Sequence, residues 1–207
     1  MRAVMFDFGG VISSSPFEAF EHLEDERGLP RGFIRTVNAT NPDDNAWAQL
    51  ERGELGVEGF GELWAAEARA LGSDGMDGRL VLERLAGEIR PAMVEAIRRC
   101  GQVYKTACLT NNFVRAEAEL SSEVAAVYDL FDAVLESRVL GVRKPDPRFY
   151  LLACDSLGVA PDESVFLDDL GINLKPARAL GMHTIKVTDP DVAIAELERV
   201  TGLTLTD

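Results

Sequence analysis

Short apolar runs rich in β-branched residues alternate with helical periodicities along most of this chain, and one long stretch near the N-terminus lacks such runs. No other feature limits the fold as strongly. Strands are expected at Ala3–Phe6, Val103–Leu109, Ala133–Leu135, Val165–Leu167 and Thr184–Val187. They are apolar throughout rather than alternating, as strands covered on both faces are. Helices are expected between and after them at Ala92–Arg99, Val114–Val127, Pro147–Leu157, Leu174–Leu180 and Val192–Val200. Repetition of this kind builds an α/β, doubly wound, mostly parallel Rossmann-like sheet.

The strandless stretch carries helix signals instead. Ser15 can cap a helix with Pro16 in its first turn and Gly28 at its end. Asp43 and Asp44 precede AWAQLERG, with Gly53 as a stop. Phe60, Leu63, Trp64 and Leu71 share one face of a helix over Val57–Leu71, and GSDGMDG (72–78) reads as a turn. The expected organisation is a core of residues 1–13 and 88–207 with a helical cap, residues 14–87, inserted after the first strand.

Ligands of an open parallel sheet bind beyond the carboxyl ends of its strands. Here those ends carry Asp7, then Thr110, Asn111 and Asn112, then Arg143 and Lys144 after a loop, then Asp168 and Asp169, with Thr188 and Asp189 after the fifth. A carboxylate can serve as a nucleophile when a cation stabilises the charge it meets. A hydroxyl, an amide and backbone N–H groups can hold phosphate oxygens, and a lysine adds a compact positive charge. Paired acids suit Mg²⁺, which prefers oxygen ligands. Together they describe metal-assisted phosphoryl transfer to an aspartate. Each residue also has a plain structural reading. Asp168 and Asp169 can cap the helix that follows, Thr110 can do the same, and Lys144 can be a surface lysine. Asp7 is hardest to read this way, because an acid closing a buried strand needs a partner.

The net charge of −14 repels nucleic-acid backbones, so any phosphate site needs local donors or a metal. No apolar run is long enough to span a bilayer, and MRAVMF is too short for a secretory signal, so a cytoplasmic protein is expected. Cys100, Cys108 and Cys154 have no CxxC spacing and read as reduced, buried thiols. Trp47 and Trp64 sit at helical spacing that favours packing over pocket lining, and His22 and His183 read as surface or structural residues. Ser13–Ser15 read as substrate contacts near a hinge or as linker and helix cap.

The segments DFGGV, LTNN, RKPDPRFY and VFLDDLGIN, in that order, resemble the motifs of the haloacid dehalogenase-like hydrolases. VFLDDLGINLKPARALGMHTI looks especially like the N-terminal phosphatase domain of soluble epoxide hydrolases. RAVMFDFGGVI with QLERGELGVEGF looks like the related domain of acyl-CoA dehydrogenase fusion proteins. On that resemblance no epoxide hydrolase partner domain is expected. The resemblance implies Asp7 as the nucleophile, Thr110 and Asn111 as phosphate binders, and Lys144 as the bridge between Asp7 and the transferring group. It implies Mg²⁺ held by Asp7, the Gly9 carbonyl and Asp169, with Asp168 in support, and a small phosphorylated molecule as substrate. Gly9 departs from the pattern, since most family phosphatases carry an acid/base aspartate there. A positioned acid–base group is worth roughly 10²–10⁴-fold in rate, so a slower phosphatase, or one that uses water or a cap residue as the acid, is expected. Two other readings stand beside it: a 2-haloacid dehalogenase, which also lacks that aspartate but has no use for paired metal-binding acids, and a non-catalytic domain on the same fold.

Overall fold

The computed structural model describes residues 1–85, 87–112 and 121–206. Five strands, β1 (Ala3–Phe6), β2 (Lys105–Thr110), β3 (Ala133–Glu136), β4 (Ser164–Asp168) and β5 (His183–Lys186), form one sheet in the order β3-β2-β1-β4-β5. Every neighbouring pair is parallel. Helices α1 (Pro16–Arg27), α2 (Phe33–Ala39), α3 (Ala46–Glu51), α4 (Val57–Ala70) and α5 (Arg79–Glu83) fill the insertion after β1. Helices α6 (Pro91–Cys100), α7 (Ser122–Tyr128), α8 (Ser137–Leu140), α9 (Pro147–Leu157), α10 (Gly171–Ala179) and α11 (Pro190–Thr201) follow.

The period-2 geometry of β1 sends its side chains to two cores. Val4 and Phe6 pack with Met93 and Ile97 of α6 and Ile194 and Leu197 of α11. Ala3 and Met5 pack with Phe149 and Tyr150 of α9 and Leu174 of α10. Both faces of β1 are therefore covered, which is why that strand is apolar throughout. Polar residues enter at the ends of β2 and β4 and along the edge strand β5. A third apolar cluster is drawn wholly from the insertion and contains Phe20, Leu23, Ile34, Leu50, Phe60 and Trp64.

The structure shifts several sequence-based boundaries. Val103 lies outside β2 because the N–H groups of Val103 and Tyr104 turn back to the Cys100 carbonyl at 3.0 and 2.8 Å. Pairing with β1 starts only at Lys105, opposite Ala3. Helix α10 begins at Gly171 rather than Leu174. β5 begins at His183, yet the Val187 N–H still donates to the Asp168 carbonyl at 3.0 Å. Of the helix expected at Val114–Val127, residues 114–120 lie outside the described residues; α7 starts at Ser122, capped by the Ser121 hydroxyl. In the insertion, Ser15 and Gly28 bound α1 as expected, whereas α3 is capped by Asn45, whose Oδ1 accepts the Ala48 N–H at 2.8 Å. α2 and α5 carry too short a periodicity to stand out in the sequence.

Two strands of chain join the insertion to the sheet. Ser13 and Ile89 form an antiparallel bridge, Ser14 N–H donates to the Glu88 carbonyl at 2.8 Å and Arg90 N–H to the Ile12 carbonyl at 2.9 Å. Ser13–Ser15 are thus spent on the crossing and the α1 cap. Trp64 is fully buried, with its indole N–H on Asn38 Oδ1 at 2.8 Å, as the packing reading requires. The three cysteines are free and buried. No described helix is long and apolar enough to cross a membrane.

Candidate active site

The chain adds β2 and β3 on one side of β1, then crosses to place β4 and β5 on the other. Such a reversal opens a crevice at the carboxyl ends of the two strands that flank it. Asp7 follows β1 there, its N–H on the Leu167 carbonyl at 2.9 Å, and Asp168 ends β4. Lys144 reaches in from the segment between α8 and α9. Its Nζ lies 2.7 Å from Asp7 Oδ1 and 2.9 Å from Asp168 Oδ2, and the side chain is 1% exposed. Burial alone would push this ammonium down, but Asp168 and Asp7 outweigh it and keep it protonated. The surface-lysine reading is therefore wrong.

Asp168 is not the cap of α10, whose N-cap is Leu170 with no side-chain cap bond, but its carboxylate holds the turn that leads into the helix. Its Oδ1 accepts the Leu170 N–H at 2.8 Å, and both oxygens accept from Asn173 Nδ2 at 3.1 Å. One carboxylate thus fixes the entry to α10 and anchors Lys144. Tyr150 holds the same turn from α9, its hydroxyl donating to the Asn173 carbonyl at 2.7 Å.

Carboxylate oxygens of Asp7, Asp168 and Asp169 lie within 4.8 Å of one another. Three negative charges face one ammonium. The Asp7 carboxyl is held well above its usual range by burial, with Lys144 opposing and Asp168 and Asp169 adding to the rise. Asp169 is pushed up to about 6, chiefly by burial and then by Asp168. The loop after Asp7 is shaped around this cluster. Gly10 has φ +76°, and a Cβ there would fall 2.4 Å from Asp169 Oδ2, so only glycine lets the carboxylate lie against the backbone. Arg90 Nη1 holds the same loop by the Gly10 carbonyl at 2.8 Å. An oxygen-only donor set, two of its carboxylates buried and Asp169 half-buried, carries surplus negative charge and fits a hard divalent cation.

Thr110 ends β2 and is 5% exposed. The Asn111 side chain is engaged with the lysine segment: its Oδ1 accepts the Lys144 N–H at 2.9 Å and its Nδ2 donates to the Lys144 carbonyl at 3.0 Å. Asn111 therefore ties the end of β2 to the segment that carries Lys144. The structure thus brings Asp7, Asp168, Asp169 and Lys144 together and joins Asn111 to them through the Lys144 backbone.

Glu51, at the end of α3, is a site-rim residue that sequence reasoning missed. Its side chain is 8% exposed, and its Oε2 lies 2.6 Å from Arg143 Nε as an ion pair rather than an aligned hydrogen bond. Asn111 Nδ2 reaches the same oxygen at 3.3 Å, and Trp47 Nε1 donates to Oε1 at 2.8 Å. Ser137 Oγ donates to the Glu51 carbonyl, and Gly53, with φ +73°, allows the Arg138 carbonyl to approach. These partners lie far along the chain, so LERG reads locally as a solvated helix end. Trp47 and Glu51 at i and i+4 are the one local signal. Glu51→Gln is expected to cost about 1–3 kcal/mol, because an amide N–H₂ would meet the donors of Arg143 and Asn111. Urea unfolding should show a lower midpoint with an unchanged slope.

The family model for haloacid dehalogenase-like hydrolases matches residues 1–181. The chain is similar to acyl-CoA dehydrogenase family member 10 of Mus musculus, 36% identical over 209 residues, covering 99% of this chain and 19% of that protein. It is similar to bifunctional epoxide hydrolase 2 of Sus scrofa, 32% identical, covering 99% of this chain and 40% of that protein. It thus spans less than half the length of either relative. Phosphatase MT3486 of Mycobacterium tuberculosis is 34% identical, covering 90% of this chain and 87% of that protein. A predicted HAD-like family hydrolase from Porphyromonas gingivalis shares the fold with TM-score 0.67 and 20% identity, covering 99% of both chains. A HAD family enzyme from Bacteroides thetaiotaomicron, in complex with magnesium and inorganic phosphate, matches with TM-score 0.58 and 20% identity, covering 90% of this chain and 93% of that chain.

Proposed function

We propose that this chain, which belongs to the haloacid dehalogenase-like hydrolases, is a Mg²⁺-dependent phosphatase that hydrolyses a small phosphate monoester through a phosphoenzyme on Asp7. The observation that carries the reading is the three-carboxylate cluster sharing a single buried lysine. A dehalogenase attacking carbon needs no metal, so a pair of acids placed to bind one favours phosphoryl chemistry. A divalent cation bound there would balance the surplus charge beside Asp7.

In this reading an oxygen of Asp7 attacks phosphorus. Lys144 fixes that carboxylate and faces the incoming phosphoryl oxygens. Thr110 and the backbone at Asn111 hold those oxygens, with Asn111 also setting the lysine segment. Asp7, Asp169 and the Gly9 carbonyl would hold Mg²⁺, with Asp168 in support. Bound there, the ion supplies positive charge against the phosphate. Residues 14–87 act as a cap over a core of residues 1–13 and 88–207, and Glu51 with Arg143 docks one on the other.

Phosphate release from an aryl phosphate is expected with Mg²⁺ and is expected to vanish in excess chelator, returning when Mg²⁺ is restored. Halide release from a 2-haloacid, indifferent to chelator, would establish the dehalogenase instead. Neither activity in folded protein would establish a non-catalytic domain.

A further inference from the structure

Gly9 has an ordinary backbone conformation, φ −70° and ψ 131°, and no described atom comes within 4 Å of where its Cβ would stand. The glycine is therefore not required by strain or crowding, unlike Gly10 beside it. It leaves open space next to Asp7. The described acids around the site are otherwise committed. Both Asp168 oxygens are taken by Lys144, Asn173 and the Leu170 N–H. Both Glu51 oxygens are taken by Trp47, Asn111 and Arg143. Asp169 lies against Gly10 in the carboxylate cluster. Lys144 is clamped between Asp7 and Asp168. On the phosphatase reading Asp169 is given to the metal, so the site can deliver charge to a phosphoryl group and, among the described residues, holds no other acid to protonate what departs.

We infer that the substrate is a phosphate whose leaving oxygen departs as a stable anion: an acyl phosphate, a diphosphate ester, or the phosphate of an acidic hydroxyl, rather than a simple alkyl phosphate. The inference rests on the phosphatase reading above and narrows it. As an Asp7 oxygen bonds to phosphorus, the phosphorus–oxygen bond to the leaving group breaks, and its electron pair departs with that oxygen. The anion takes no proton from the protein. Water then attacks the phosphoenzyme, the bond between phosphorus and Asp7 breaks, inorganic phosphate leaves, and the proton from water passes to solvent. Phosphoryl transfer runs through a loose transition state with much charge on the departing oxygen, so an unassisted departure depends steeply on leaving-group pKa.

The test is a series of ring-substituted phenyl phosphates with leaving-group pKa values from that of phenol, about 10, to about three units lower. Acetyl phosphate, methyl diphosphate and glycerol phosphate extend it. In Mg²⁺, kcat/KM of the wild-type protein is expected to fall roughly tenfold per unit of leaving-group pKa, about 10³-fold across the phenols. Acetyl phosphate and methyl diphosphate should be cleaved readily and glycerol phosphate hardly at all. Gly9→Asp fills the open space with an acid and should flatten the slope, lifting the poorest leaving groups by roughly 10²-fold or more. Gly9→Asn, which fills the space without an ionisable proton, should keep the wild-type slope. A shallow wild-type slope would overturn the inference, since it is the signature of a proton donor within reach. Release of phosphate from no member of the series would overturn the phosphatase reading itself.

Discussion

Lys144→Met is expected to lose about 3–5 kcal/mol of stability at neutral pH, the cost of breaking a buried ion pair by removing one partner. Methionine fills a similar volume, so the effect isolates charge. Among the described residues the ammonium is the one cation in direct contact with Asp7 and Asp168, and Asp168 is fully buried. Without it, both carboxylates stay buried with no described cation beside them, and the Asp7 carboxyl loses the charge that opposes its rise. An acid whose pKa is raised in the fold binds its proton more tightly folded than unfolded, so its stability deficit grows with pH. The loss should therefore be largest above that raised value and shrink as pH falls through it. Urea midpoints of wild type and variant at about pH 7.5 and about pH 5.5 check the sign. A constant difference would mean that lost packing, not unpaired charge, is responsible. Lys144→Arg should not rescue, because a planar guanidinium cannot occupy a slot with carboxylate oxygens at 2.7 and 2.9 Å from a single nitrogen.

The layered fold was legible because burial on both faces leaves strands with no polar alternation to misread. Asp7, Asp168 and Asp169 were legible for the same reason, as acids that interrupt apolar runs at the sheet's edge. What stayed hidden is long-range. Arg90 reads as a residue before a proline, yet its guanidinium holds the Gly10 carbonyl across eighty positions. Asn173 reads as part of a helix start, yet it completes the shell of Asp168. Glu51 lies in a charged helix end whose partners arrive from three other segments. The neighbouring glycines show the same divide. DFGG gives no sign that Gly10 is demanded by the Asp169 carboxylate while Gly9 faces open space.

On the phosphatase reading, Asp7→Asn is expected to lower phosphate release by at least about 10³-fold, since an amide cannot replace a carboxylate given the attacking role. The same change should raise the thermal midpoint of the metal-free protein. Asp7 is 8% exposed, and burial first, then Asp168 and Asp169, hold its carboxyl well above the usual range against the pull of Lys144. Such a group destabilises the fold above its raised pKa, and the penalty fades as pH falls through that value. Asparagine keeps the shape, and its Oδ1 can still accept from Lys144 and the Phe8 N–H, as Asp7 does. It removes one of three negative charges that share one ammonium. Added Mg²⁺ should reverse the order of gains, because ligand binding stabilises a fold in proportion to its affinity and wild type offers the extra anionic ligand. Thermal unfolding in chelator and in Mg²⁺ reads both effects without any turnover. A variant less stable in chelator, with an undiminished Mg²⁺ shift, would show that Asp7 neither strains the fold nor helps to hold the metal. The expected pattern instead makes the crowding of Asp7, Asp168 and Asp169 a stored cost of the kind that functional sites carry, released when the cation they are spaced for arrives.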